Sequence, residues 1–172
     1  MADQPKFRAP EPLSAEHDIS EFNCGEQRMN EWFTKHALRN QNNGASNTFV
    51  VCLQDRVVAF YCLVCTAIAH DEVSKAMQRN MPDPIPCVLM GRLAVDQEHQ
   101  KKGLSRLLLK DAFKRAVIAS ESVGFYALIV DAKNDSLLPF YEKLGFKSLS
   151  SSPQNLKLYM PLKRIKAYIN SE

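Results

Sequence analysis

The chain has 172 residues, 45% apolar and 24% charged, with a formal charge of +3. These values fit one soluble globular domain spanning residues 1–172. The mild positive charge admits an anionic cofactor or an RNA but falls short of what non-specific nucleic-acid binding demands. No apolar run approaches the roughly 20 residues needed to cross a bilayer.

The opening Met1-Ala2-Asp3-Gln4-Pro5-Lys6 lacks the apolar core of a secretory leader, so a cytoplasmic location is expected. Phe7 to Leu13 reads as a short edge strand, because its prolines cannot donate to a ladder. From Glu26 to Asn40 a helix is predicted, with Met29, Trp32, Phe33, His36 and Ala37 on one apolar face. The polar run from Asn40 to Ser46 ends it. Thr48–Leu53 and Val57–Ala67 read as a hairpin turning at Gln54-Asp55-Arg56. A short helix over 71–79 is stopped by Pro82, Pro84 and Pro86. Cys87–Val95 is the least interrupted apolar strand and is expected at the centre of the sheet. A long helix follows from Gly103 to about Ser122, with Leu104, Leu107, Leu108, Ala112 and Ala116 at helical spacing. Phe125–Val130 is a strand, Ser136–Leu144 a helix closed by Gly145, Leu156–Met160 a last strand, and 163–168 a short terminal helix. The order predicts an α/β sandwich built on a mixed, mostly antiparallel central sheet flanked by helices.

Cys62 and Cys65 have the spacing of a metal or redox pair but lie inside a strand. An offset of three places them on opposite faces, so the five cysteines are read as reduced thiols, mostly in apolar surroundings. No metal site is expected.

Two segments carry chemistry. After the strand ending at Val95, the chain turns through Gln100-Lys101-Lys102-Gly103 into a helix. The first amides of a helix lack internal partners and, with the helix dipole, form an anion site. Gly103 lets a bulky pyrophosphate approach, Ser105 is too small to block it, and Lys101 and Lys102 add charge. Taken alone, the segment reads better as an ordinary surface turn with a solvated basic face, because short glycine motifs are common. The second segment, Asp131 to Phe146, follows a strand. Asn134 and Tyr141 lie seven apart, two helical turns. An amide there suits a pantetheine-like chain, and a phenol there can protonate a leaving thiolate. The plain alternatives are a helix-entry asparagine and a half-buried tyrosine.

Gln100-Lys101-Lys102-Gly103-Leu104-Ser105, with Asn134 to Phe146 after it, resembles the paired motifs of the GNAT superfamily of N-acetyltransferases. Ser105 stands where Gly or Ala is usual, and Leu137 where Ala is common. The N-terminal half is similar to a narrower group, the acetyltransferase toxins of toxin–antitoxin modules. That likeness runs through His17 to Gly25, Met29 to Phe33, Ala37, Thr48 to Val51, Val57 to Tyr61, and Pro84 to Asp96. Ala59 replaces a usual Gly, and Phe33 a usual Leu.

The resemblance implies the GNAT fold, acetyl-CoA as cosubstrate and an aminoacyl-tRNA as acetyl acceptor. It also implies a small ribbon-helix-helix antitoxin as partner and admits a homodimer. Cofactor-binding residues would be Leu93, Ala94 and Val95 through their backbone, Lys101, Lys102, Gly103, Leu104, Ser105 and Arg106 at the turn, and Asn134. Tyr141 would be the general acid. No carboxylate stands out as a base. A lysine amine, with a pKa of about 10.4, would need one, whereas an α-amine near about 7.7–8.0 is largely neutral already. That favours an α-amine acceptor over a small-molecule or protein amine. Arg92, Lys35 and Arg39 are the candidate tRNA contacts, with Arg79, Lys163, Arg164 and Lys166 as further basic residues. Arg92 leads because a charge set in a strand is costly without a partner.

Overall fold

The computed structural model describes residues 6–150 and 156–172. The opening Met1–Pro5, read above for a leader, lies outside them. In chain order the elements are β1 (Glu11–Pro12), α1 (Gln27–Trp32), a π-helical turn (Phe33–Ala37), α2 (Leu38–Asn42), β2 (Asn47–Leu53), β3 (Arg56–Ile68), α3 (Lys75–Gln78), β4 (Ile85–Val95), α4 (Leu104–Ser120), β5 (Ala127–Asp131), α5 (Leu138–Leu144), β6 (Lys147–Ser148), β7 (Lys157–Pro161) and α6 (Leu162–Asn170). The strands form one sheet in the order β1-β2-β3-β4-β5-β7-β6, with β4 fourth of seven. β4 and β5 pair in parallel; β1–β2, β2–β3, β5–β7 and β6–β7 pair antiparallel. A parallel pair needs a long crossover, which α4 supplies. The expected α/β fold with a mixed, mostly antiparallel sheet is therefore present.

The residues pack as two compact units, the first of residues 1–64 with 91–112, the second of residues 65–90 with 113–172. In the first, Leu13, Phe22, Met29, Phe33, Ala37, Val50, Val57 and Phe60 share one core. The apolar helix face read from the sequence is the one buried, but the helix is not uniform. It switches to π geometry at Phe33 and extends to Asn42. The hydroxyl of Thr34 donates to the carbonyls of Asn30 (3.0 Å) and Glu31 (3.3 Å), competing with the backbone ladder where the geometry changes. Phe33 stacks on Phe60 at 4.1 Å and 5°.

The hairpin turn is Gln54-Asp55 alone, with Gln54 at φ 57°, and Arg56 already belongs to β3. The register moves from Val51↔Ala59 to Cys52↔Val57, leaving Val58 as the extra residue of a bulge. Its carbonyl accepts the amide of Asp96 at 2.8 Å.

In the second unit Ile68, Val73, Met77, Ile85, Cys87, Ala127, Ile129 and Leu149 form the core. The helix predicted over 71–79 is two pieces, a 3-10 turn His70–Glu72 and α3. Ser74, in extended conformation, breaks the run and caps α3 by accepting the Met77 amide at 3.3 Å. β6 escaped the sequence reading because two residues carry no periodicity. Leu107 of α4, assigned to the apolar face, is 37% exposed; the buried stripe runs instead through Leu104, Leu108, Leu109, Ala112, Phe113 and Ala116. Cys62 is buried and Cys65 exposed, on opposite faces as their spacing requires, so Cys65 departs from the buried majority. Among the described residues no helix is long and apolar enough to cross a membrane.

Candidate acetyl-transfer site

The turn between β4 and α4 is fastened at its base. Asp96 is 2% exposed; its carboxylate accepts the amides of Glu98 and Asn23, each at 3.0 Å, and faces Arg56 at 3.6 Å. Gln100, the first residue of the turn motif, donates its side-chain amide to the carbonyls of Val95 (3.1 Å) and Cys24 (3.3 Å). Beyond it Lys101 adopts φ 62° and Gly103 φ 80°. Alternating left-handed residues roll successive amides to one side, the geometry of an anion nest. A Cβ built on Gly103 meets nothing within 4 Å, so the space above the backbone is open.

α4 starts at Leu104, and the Leu107 amide is the first to bond back, to the Gly103 carbonyl at 3.1 Å. The amides of Leu104, Ser105 and Arg106 precede it, as an anion site at a helix start requires. Lys101, Lys102 and Arg106 are exposed and Ser105 half-buried; Leu104 is buried and can offer a ligand only its backbone. The β4–β5 ladder runs from Cys87↔Ala127 to Met90↔Val130, and β4 continues to Val95 beyond it. Leu93, Ala94 and Val95 lie in that extension.

Glu98 is exposed, facing Arg56 at 3.5 Å, but His99 is 9% exposed and edge-on to Phe7, and its buried Nδ1 has no hydrogen-bond partner among the described residues. The aromatic edge contact explains what the charge pattern of the segment hides. Two clusters of ligand-type side chains also emerge, Glu11/His17/Cys52 and Asp96/Glu98/His99. In the first, His17 Nδ1 accepts the Ser14 amide (2.9 Å), which leaves the ring proton on Nε2, pointing to Glu11 at 2.6 Å. In the second, Arg56 already supplies the positive charge.

In the second unit Asn134 is extended and exposed. Its side-chain oxygen accepts the Ser136 amide at 3.1 Å and the Ser136 hydroxyl, so the amide nitrogen is the group left to offer a ligand. Tyr141, on α5, is only 6% exposed, with Phe140 and Phe146 edge-on at 5.2 and 5.6 Å. Burial, followed by the nearby Asp131 carboxylate, raises its pKa above the ordinary tyrosine value. The phenol is therefore a proton carrier at neutral pH. Gly145, at φ 108°, ends α5, and the Phe146 amide returns to the Tyr141 carbonyl at 3.1 Å. A Cβ at Gly145 would sit 3.3 Å from Arg164 Nε and 3.4 Å from Met160 Cε.

Arg92 is half-buried, with its guanidinium carbon 4.5 Å over the Trp32 ring. Lys35 and Arg39 are exposed, and Arg39 lies 2.5 Å from His36 Nδ1. Sequence reasoning placed Trp32 in the apolar face and missed its contact with Arg92. Nothing in local spacing links residues sixty positions apart. The anchoring role of Gln100 was equally hidden, because its acceptors are backbone carbonyls rather than a motif.

Residues 44–148 match the model of the acetyltransferase (GNAT) domain. A tRNA-acetylating toxin of Mycobacterium tuberculosis is 39% identical over 154 residues, covering 90% of this chain and 93% of its own. Among solved structures, AtaT complexed with acetyl-methionyl-tRNAfMet has a TM-score of 0.84 at 30% identity, covering 95% of this chain and 99% of that one. A tyrosine-to-phenylalanine mutant of AtaT, bound to the C-terminus of the antitoxin AtaR and acetyl-CoA, has a TM-score of 0.79 at 28% identity, covering 96% and 99%. With its paired motifs on the expected elements, this chain belongs to the GNAT acetyltransferases and is an acetyl-CoA-dependent enzyme.

Proposed function

We propose that the chain is the toxin of a toxin–antitoxin pair and transfers acetyl from acetyl-CoA to the α-amino group of an aminoacyl-tRNA, blocking translation. The observation that carries this reading is the 39% identity to a tRNA-acetylating toxin along 90% of the chain. The fold match to AtaT holding acetyl-methionyl-tRNA supports it. The turn is suited to pyrophosphate, through the amides of Gly103, Leu104, Ser105 and Arg106 and the charges of Lys101 and Lys102. The backbone of Leu93, Ala94 and Val95 and the amide of Asn134 are assigned to the pantetheine arm. Acetyl-CoA supplies the acyl group as a thioester.

Tyr141 gives its hydroxyl proton to the departing sulfur, forming S–H as the C–S bond breaks, while the attacking nitrogen releases a proton to solvent. Acid help of this kind is worth roughly 10²–10⁴ in rate. An α-amine needs no dedicated base, in keeping with a strand that carries Arg92 where a carboxylate could stand. Arg92, Lys35 and Arg39 are assigned to the tRNA, and a cytoplasmic location, a ribbon-helix-helix antitoxin and a homodimer complete the proposal.

Mass spectrometry of charged tRNA incubated with acetyl-CoA and the protein tests it. N-acetylated aminoacyl adducts are expected and would name the tRNA. Modification confined to free amines or lysines would replace this reading with a small-molecule or protein amine acetyltransferase.

A further inference from the structure

We infer that Trp32 and Arg92 together form the subsite for the phosphate that joins the last two nucleotides of the acceptor, with the indole holding the guanidinium in place. The inference rests on the aminoacyl-tRNA reading above. The Arg92 guanidinium lies 4.5 Å over the Trp32 ring. Trp32 stacks in turn on Phe60 at 6.1 Å and 21°, and Phe60 on Phe33 at 4.1 Å and 5°. Phe60 and Phe33 are fully buried, so the indole is the outer plate of a rigid stack. A guanidinium on such a plate is fixed in orientation, and its in-plane N–H fork stays available.

What surrounds it leaves that fork unmatched. Among the described residues Arg92 Nη1 reaches only the thioether of Met29, at 4.0 Å, a weak acceptor. Cys62 is the nearby ionisable group, and burial pushes its thiol up to about 11, so it is neutral and no counter-ion. Among the described residues Arg92 forms no ion pair. A half-buried planar cation with no carboxylate calls for an anion from outside, and a phosphodiester fits the fork bidentately. Location adds to this. Arg92 immediately precedes Leu93–Val95, the stretch assigned to the acetyl donor, so an anion held there belongs to the acceptor's reacting end. Lys35, three residues beyond Trp32 on the same helical segment and exposed, provides charge for the next phosphate.

Two minimal acceptors isolate the phosphate: aminoacyl-adenosine, which has none, and aminoacyl-cytidylyl-adenosine, which has one. The measured quantity is the ratio of their kcat/KM values. The wild type is expected to favour the dinucleotide by roughly tenfold or more, as one charge-assisted contact provides. Arg92→Gln and Trp32→Leu should bring the ratio close to one, while Trp32→Phe, which keeps a ring, should retain most of it. Calorimetric binding of acetyl-CoA reports folding of each variant; should Trp32→Leu fail that check, Arg92→Gln and Trp32→Phe decide. A wild-type ratio near one, or an Arg92→Gln ratio equal to that of the wild type, overturns the inference. If neither nucleotide nor charged tRNA is acetylated by the wild type, the proposed function falls instead.

Discussion

Tyr141→Phe removes one oxygen from a ring that is 6% exposed and leaves its aromatic contacts with Phe140 and Phe146 in place. Among the described residues the hydroxyl has no hydrogen-bond partner, so its loss strands no buried donor or acceptor. Stability should therefore change by less than about 1 kcal/mol. In the proposed mechanism the same change takes away the proton source for the departing thiolate. A fall in kcat of roughly 10²–10⁴ follows, equivalent to about 2.7–5.5 kcal/mol of transition-state free energy.

The pH dependence has a definite sign. Because burial raises the phenol above its ordinary 10.0, the protonated form persists past that value, and kcat should decline only on the alkaline side of it. The same shift means that whatever stability the neutral phenol contributes is present below pH 10 and is lost as pH rises through the higher folded value. The assay pairs single-turnover acetyl transfer from radiolabelled acetyl-CoA with thermal melting and cosubstrate affinity. A variant with unchanged kcat, or one whose melting temperature collapses along with its activity, would refute the role of Tyr141 as the acid.

Gly145→Ala places a Cβ 3.3 Å from Arg164 Nε on a residue at φ 108°. Left-handed strain of about 1–2 kcal/mol should lower the melting temperature by several degrees. If Arg164→Ala in the same chain restores the melting temperature fully, crowding rather than backbone strain is the cause. Gln100→Ala deprives the Val95 and Cys24 carbonyls of their shared donor, and the acetyl-CoA dissociation constant measured by calorimetry should rise about five- to thirty-fold. An unchanged constant would mean the turn keeps its shape without that anchor. At pH 8 iodoacetamide should label the exposed Cys65 and spare Cys62, whose thiol is held near 11 by burial; peptide mapping that finds Cys62 alkylated at a comparable rate contradicts this.

The backbone of the turn before α4 and of the α5 end could be read from the chain because it is set locally. A glycine immediately before a helical run and an αL glycine closing a seven-residue helix are constrained by backbone conformation, which neighbours in sequence set. Strand order was half legible for the same reason, since the parallel β4–β5 pair follows from having α4 between them. The π turn at Phe33 was not. It depends on a threonine hydroxyl and on where Phe60 stands, and helical periodicity reports neither.

By itself, then, the sequence determined most of the elements, their order and the residues of the two motifs, each specified within a few positions along the chain. Only the tertiary structure decided that Gln100 anchors the turn, that His99 is buried against Phe7, and that Arg92 rests on Trp32 with no ion-pair partner among the described residues. Those pairings join residues up to ninety-two positions apart, and their energies arise from burial and ring contact that exist only once the chain has folded.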